Sequence, residues 1–165
     1  LFQMMQYSDI IFGDQNEWEV ASGVPHIPFE ALDENYEIDK EAYLAYFRKM
    51  HHLFPKCKKM VMAVRNQIAS SHHTLSGLLY DAVEDQLYTT RIYDIEPIVD
   101  PMGVGDAFVA AYIHAHQKWG DKNQYCLDFS LSASAIKNTI PGDQNLVSEE
   151  EIINNMTSSG GRIQR

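Results

Sequence analysis

The alternation of apolar and polar stretches along the chain predicts strands and helices in turn. Two short apolar runs, Ser8–Phe12 and Lys59–Arg65, indicate buried strands. Leu75–Asp81 and Gln86–Ile92 flank a polar turn at Ala82–Asp85, so this stretch predicts a β-hairpin.

Apolar residues recur at helical spacing between these strands. The predicted helices are a helix end at residues 1–6, Asp14–Ser22 before Gly23, Asp39–Leu53, Gly103–Trp119, residues 121–137 and a last helix opened by the capping box Ser148–Glu151. Residues 24–38 are predicted to form a loop, and the tail from Ser158 is predicted to be polar and mobile. Strands that alternate with helices favour a layered α/β fold with a mainly parallel sheet, in which the hairpin adds an antiparallel piece at an edge.

Composition narrows the classes of partner. The chain has 165 residues and 45% hydrophobic content, which suits one domain. Its formal charge of −10 disfavours nucleic acid and anionic membranes as partners, although backbone dipoles can still bind a small anion. Cys57 and Cys126 show no pairing or metal pattern, which is typical of a reducing, cytoplasmic compartment. The paired histidines do not share a face, so a histidine metal site is disfavoured.

The segment Asp94–His114 carries the candidate chemistry. A short apolar run leads into the glycine turn Gly103-Val104-Gly105, and Asp106 then opens an apolar helix. Free N–H groups at a helix start bind anions, and a carboxylate beside them can accept a hydroxyl proton during phosphoryl transfer. The local pattern alone is equally compatible with Asp106 capping its helix. The segment lacks the Gly-Lys-Ser/Thr ending of a Walker A loop, so it is not a P-loop.

The run Asp100–Phe108 resembles the second signature of the PfkB carbohydrate kinases, Asp-x-x-Gly-x-Gly-Asp-Ala-Phe. The resemblance implies that Asp106 is the catalytic base and that Gly103, Val104 and Gly105 form an anion hole for the phosphoryl oxygens. It also implies that Asp100 supports the loop close to a possible monovalent cation.

Two further sites follow from the same resemblance. Family members carry Asn-x-x-Glu after a strand, and this pattern aligns with Asp14–Glu17, so that Glu17, with Asp14 beside it, organises Mg²⁺ for ATP. A frame two residues later, Asn16–Glu19, keeps both letters but needs an insertion, and an ordinary acidic helix start is the plain alternative. Lys137 and Asn138 correspond to positions that line the nucleotide, where the alternative is an ordinary helix end.

Other segments are similar to the 2-keto-3-deoxygluconate kinases (2-dehydro-3-deoxygluconokinases) of this family. They are Arg65–Asp81, with departures at Asn66, Gln67, His73 and Leu75, then Ile140–Ser148 and the ending Gly161–Arg165. The similarity implies ATP-dependent phosphorylation of a small sugar acid. Another PfkB-type kinase such as a fructokinase or ribokinase, a non-catalytic nucleotide-binding module and an inactive truncated product remain alternatives.

The resemblance also implies an architecture. Residues 1–165 correspond to the C-terminal, nucleotide-binding part of a ribokinase-like three-layer αβα fold. The N-terminal strands, most sugar contacts and the β-lid of the family are absent from this sequence. The chain alone is therefore expected to be inactive or weakly active and to associate, for example as a homo-oligomer, through exposed apolar faces.

Overall fold

A computed structural model of the chain describes residues 1–27 and 37–158 and the backbone of a short strand at 162–163. Most of the predicted loop at 24–38 and most of the tail lie outside these residues. The elements in chain order are α1 (Phe2–Met5), β1 (Ile10–Gly13), α2 (Gln15–Ser22), α3 (Lys40–Leu53), β2 (Lys59–Ala69), β3 (His72–Asp81), β4 (Gln86–Thr89), β5 (Tyr93–Ile95), α4 (Val104–Trp119), α5 (Asn123–Lys137), α6 (Glu149–Thr157) and β6 (Arg162–Ile163).

The six strands form one mixed sheet with the order β1-β2-β3-β5-β6, and β4 also pairs with β3. β3 is antiparallel to β2, β4 and β5, whereas β1 with β2 and β5 with β6 are parallel. Every strand except β3 therefore points the same way, as a mainly parallel sheet requires.

The predicted position of the antiparallel piece at a sheet edge is wrong, because β3 lies in the middle. β2 continues through Ala69 and returns after two residues at His72, so that a longer hairpin precedes the predicted one. On the side away from β2, β3 pairs with two short strands, with β4 at Leu78–Asp81 and with β5 at His73–Leu75.

Helices cover both faces of the sheet, which confirms the three-layer fold. Met60 and Met62 of β2 pack into one core with α1, α2 and α3, whereas Val61 packs into a second core with α4, α5 and α6. All three side chains are fully buried. This two-sided burial explains why β2 begins as a continuous apolar run instead of an alternating pattern. Within the described ranges, none of the helices combines the length and apolar character that crossing a membrane requires.

The structure contains the predicted caps at Ser148, Asp39 and Gly23. The Ser148 hydroxyl accepts from the N–H of Glu151, whose carboxylate accepts from the Ser148 N–H, so the capping box is confirmed. Asp39 caps α3 by accepting from the N–H of Ala42. Gly23 closes α2 with φ 74°, a left-handed conformation that favours glycine.

Asp121, just before α5, and Asp128, within α5, are expected to change the stability of the fold in opposite directions as the pH changes. Burial raises the pKa of the Asp128 carboxyl, so folding favours its protonated form and stability falls as pH rises above about 4. The Lys59 ammonium, 2.6 Å away, lowers the pKa of Asp121, so that contribution is present above about pH 4 and is lost below it.

We therefore expect Asp128→Asn to raise the melting temperature at pH 7 and Asp121→Asn to lower it. Both differences from the wild type should shrink as the pH falls toward 3, because protonation of the wild-type carboxyls then begins to remove the charges that the variants lack. Circular dichroism melts between pH 3 and pH 7 measure this. An Asp128→Asn variant that is less stable than the wild type at pH 7 would contradict the assignment.

Candidate active site

A cleft of about 400 Å³ opens where β1 ends and α2 and α4 begin. Ends of parallel strands and starts of the following helices commonly meet at such a cleft. Its lining residues are Phe12, Gly13, Asp14, Glu17, Ala63, Arg65, Leu75, Val104, Gly105, Asp106, Phe108, Val109 and Ser134. The structure therefore brings the predicted base, two members of the predicted anion hole and both predicted metal-organising residues to one place.

The glycine turn is held in a form that only glycine suits. Gly103 is the N-cap residue of α4, with φ 73° and ψ 6°. A Cβ on Gly103 would lie 2.1 Å from the backbone oxygen of Asp143, so the turn and the 140–143 segment touch through their backbones. The Ser134 hydroxyl of α5 donates to the carbonyl of Val104 at 3.1 Å and fixes the first turn of α4.

The start of α4 offers free donors to the cleft. No side chain caps the helix, and the first N–H groups of any α-helix have no intrahelical acceptor. Val104 and Gly105 line the cleft, and Gly105 is exposed with open space where a Cβ would stand. Such a helix start attracts anions through both its N–H groups and the helix dipole.

Asp106 does not cap α4. The capping position belongs to Gly103, and Asp106 lies three residues later, exposed and within the cleft. In the described part of the chain, its carboxylate has neither a hydrogen-bond partner nor an ion pair. The side chain is thus available to accept a proton from a bound molecule.

Asp14 and Glu17 form a capping box at the start of α2, and both line the cleft. Asp14 Oδ1 accepts from the N–H of Glu17, and Glu17 Oε2 accepts from the N–H of Asp14, both at 2.9 Å. Each carboxylate thus keeps a second oxygen. In the alternative frame, Asn16 lines an adjoining apolar groove but not the cleft, and Glu19, also absent from the cleft lining, accepts from the N–H of His26.

The acidic side chains in the cleft do not by themselves form a complete set of metal ligands. Across residues 1–27 and 37–158, no group of three or more His, Cys, Asp or Glu side chains is arranged to hold a metal ion. Glu17 and Asp14 supply two free carboxylate oxygens, a donor set that fits Mg²⁺ when waters and phosphate oxygens complete the shell.

Arg65 is a cleft residue that the sequence reasoning did not assign to the site. It projects from β2 at the position paired with Leu75, is exposed, and brings a positive charge into a cleft that otherwise holds three carboxylates. A guanidinium is suited to bidentate contact with phosphate or carboxylate groups. The available signal was its position at the end of the apolar run of β2, where the pattern turns polar.

Asp100 lies behind the glycine turn instead of in the cleft. Its carboxylate accepts from the N–H of Met102 at 2.9 Å and from the N–H of Gly142 at 2.8 Å. These hydrogen bonds, with a smaller contribution from the Lys137 charge, lower the pKa of Asp100. The side chain thereby ties the turn that leads into α4 to the loop after α5.

Lys137 and Asn138 are buried and do not line the cleft, unlike the nucleotide-lining positions that the resemblance implied. Lys137 is 0% exposed, and its ammonium donates to the backbone oxygen of Ile140 at 3.0 Å. The Asn138 amide donates to the carbonyl of Ser134, and its backbone oxygen accepts from the N–H of Val99. Both residues connect the end of α5 to the chain just before the glycine turn.

The mixed sheet with helices on both faces is a ribokinase-like three-layer α/β fold, and the glycine turn and the acidic cleft lie at one end of its strands. Neither the scan against family models nor the search of curated proteins gave a match. Solved structures do match: a 2-dehydro-3-deoxygluconokinase from Thermotoga maritima is 27% identical with a TM-score of 0.79, over 94% of this chain and 43% of that one. The chain therefore has the fold of the PfkB and ribokinase carbohydrate kinases and is similar to them over nearly its whole length.

Two other solved structures share the fold. A PfkB family carbohydrate kinase from Listeria grayi is 24% identical with a TM-score of 0.76, over 94% of this chain and 43% of that one. A ribokinase from Arabidopsis thaliana, complexed with ribose and ATP, is 19% identical with a TM-score of 0.69, over 96% and 44%. The chain therefore spans less than half the length of each of these relatives.

Proposed function

We propose that the cleft binds the phosphates of ATP at the start of α4 and that Asp106 accepts the proton of a sugar hydroxyl during phosphoryl transfer. The observation that carries this proposal is the free Asp106 carboxylate beside an uncapped helix start, in the same cleft as Glu17. A proton acceptor next to an anion site is what transfer of a phosphoryl group to an alcohol requires.

The proposed reaction is an in-line displacement. The hydroxyl oxygen of the sugar bonds to the γ-phosphorus as the bond to the ADP oxygen breaks, and the hydroxyl proton passes to Asp106. The N–H groups at Val104 and Gly105 hold the phosphoryl oxygens as their charge shifts. Arg65 of β2 contributes positive charge to the same cleft.

Mg²⁺ is the metal that fits the acidic residues. Glu17 and Asp14 would hold it through their free oxygens, together with water and phosphate oxygens. When bound, the ion neutralises charge on the ATP phosphates. The capping box keeps both carboxylates oriented whether or not the ion is present, because it satisfies their other oxygens within α2.

For the acceptor we propose a small sugar acid, 2-keto-3-deoxygluconate. The similarity to the T. maritima 2-dehydro-3-deoxygluconokinase and the segments Arg65–Asp81 and Ile140–Ser148 support this choice over fructokinase or ribokinase activity. Because the chain spans only 43% of that relative, a second candidate is a nucleotide-binding module that does not transfer the phosphoryl group by itself. Binding of ATP without turnover distinguishes the second candidate from the first.

Calorimetric titration of the purified chain with ATP·Mg²⁺ tests the nucleotide site. We expect a dissociation constant of about 1 μM to 1 mM, as for ordinary substrates. Asp106→Asn should keep this constant within about threefold, because a proton acceptor contributes to the transfer and not to ground-state binding.

Asp143→Asn is the matched control, since Asp143 is an exposed carboxylate that does not line the cleft. A chain that melts cooperatively but binds no ATP would refute the proposed nucleotide site. A large loss of affinity in Asp106→Asn alone would make Asp106 a ligand-binding group instead of a base.

A further inference from the structure

Lys137 is a buried lysine that forms no close ion pair with a carboxylate in the part of the chain that the structure describes. Its side chain is 0% exposed. The ammonium donates to the backbone oxygen of Ile140 at 3.0 Å and lies 3.4 Å from the backbone oxygen of Asp100. Burying an ammonium is costly unless fixed dipoles replace its hydration, so its position indicates an arrangement whose carbonyl dipoles favour a cation.

That arrangement is the junction of two loops directly behind the anion hole. One loop carries Asp100 into the glycine turn, and the other runs from the end of α5 through Gly142. The Asp100 carboxylate bridges them by accepting from the N–H groups of Met102 and Gly142. The backbone contact between Gly103 and Asp143 lies at the same junction. A cation at this junction links the carbonyl of Asp100, just before the turn, to the carbonyl of Ile140 after α5.

We infer that the Lys137 ammonium takes the place of a monovalent cation at this junction, so that the anion hole of this chain is assembled without K⁺. This inference deepens the proposed nucleotide site and rests on it for the role of the anion hole. The resemblance implied a monovalent cation close to Asp100, but the backbone oxygens of Asp100 and Ile140 already accept from Lys137, and both carboxylate oxygens of Asp100 accept from backbone N–H groups.

Backbone oxygens such as those of Asp100 and Ile140 are the ligands that K⁺ uses when it loses its water. An ammonium of similar size and the same charge satisfies them equally, without the cost of capturing an ion from solution. A second positive charge at this distance from Lys137 would be repelled strongly in a buried setting. The residues present therefore do not fit an additional monovalent ion.

Thermal unfolding of the full chain in KCl and in tetramethylammonium chloride at equal ionic strength tests this inference. The wild type should melt at the same temperature in both salts, within about 1 °C, because a site that is already filled gains nothing from the ion. Lys137→Ala removes the charge and opens space between the carbonyls. We expect it to melt about 5–10 °C lower in tetramethylammonium chloride and to recover several degrees in KCl.

Lys137→Met is the matched variant, since it keeps most of the volume but lacks the charge. It should lose stability equally in both salts, because its side chain blocks entry of an ion. A wild type stabilised specifically by KCl would overturn the inference, and so would a folded Lys137→Ala that melts identically in both salts. If Lys137→Ala melts cooperatively in neither salt, the wild-type comparison decides.

Titration of the wild type with ATP·Mg²⁺ in each salt separates this inference from the proposed function. Equal affinity in both salts supports both. Absence of ATP binding, with melting that does not depend on K⁺, would refute the nucleotide site and leave the role of Lys137 standing. Binding at least about tenfold tighter in KCl would overturn the inference while supporting the nucleotide site.

Discussion

Gly103→Ala is expected to lower the free energy of unfolding by about 3 kcal/mol or more, with a fall in melting temperature of about 10 °C. Two costs add at this position. An L-residue at φ 73° is strained by about 1–2 kcal/mol. The new Cβ would also stand 2.1 Å from the Asp143 oxygen, so the loop after α5 would have to move.

Gly23→Ala separates these two costs. Gly23 has nearly the same backbone conformation, with φ 74°, but open space around the position of a Cβ. This variant should therefore lose only the conformational part. Chemical denaturation of both variants measures the difference, and equal losses at Gly103 and Gly23 would show that the contact with Asp143 is unimportant.

Gly105→Ala is expected to weaken binding of ATP·Mg²⁺ at least about tenfold, or about 1.4 kcal/mol, without loss of stability. Gly105 has ordinary negative φ and no atom near the position of a Cβ, so alanine should fold normally and stabilise the helix by up to about 0.5–1 kcal/mol. The methyl group would stand at the cleft, where the proposed phosphate oxygens need to approach the backbone closely. Calorimetry and a thermal melt on the same preparation measure both effects.

Ala110→Val provides the control on α4, because it adds apolar volume at an exposed position of that helix that does not line the cleft. It should bind ATP·Mg²⁺ like the wild type. Unchanged affinity in Gly105→Ala would place the phosphates elsewhere and contradict the assignment of the anion hole.

Features with a local physical cause could be predicted from the sequence. The capping box at Ser148 and Glu151, the cap at Asp39 and the start of α4 after Gly103 each depend on residues within one turn. The role of Asp106 differs, because the local pattern left open whether it caps the helix and only the structure gives the capping position to Gly103. Hydrogen bonding and backbone conformation over a few residues decide the two caps and the start of α4, so the sequence pattern was sufficient for them.

Features set by pairing or burial across the fold could not be predicted in this way. The second half of β2 and the start of β3 are polar, and their hydrogen bonds come from a backbone ladder that needs no apolar pattern. Lys137 was assigned to the nucleotide site by the family resemblance, and no local pattern indicates its burial, because lysines are rarely fully buried. Only the three-dimensional convergence of the Asp100 and Ile140 carbonyls explains its burial.

The central position of β3 bears on how the sheet comes together from a disordered chain. β2 and β3 are joined by a two-residue turn at Ser70 and Ser71, and they share the longest ladder of the sheet. Closing such a short loop costs little chain entropy, whereas pairing β1 with β2 must first close a loop of more than forty residues. The middle of the sheet is therefore its most local part, and the hairpin can serve as a template on which the distant strands are added at either side.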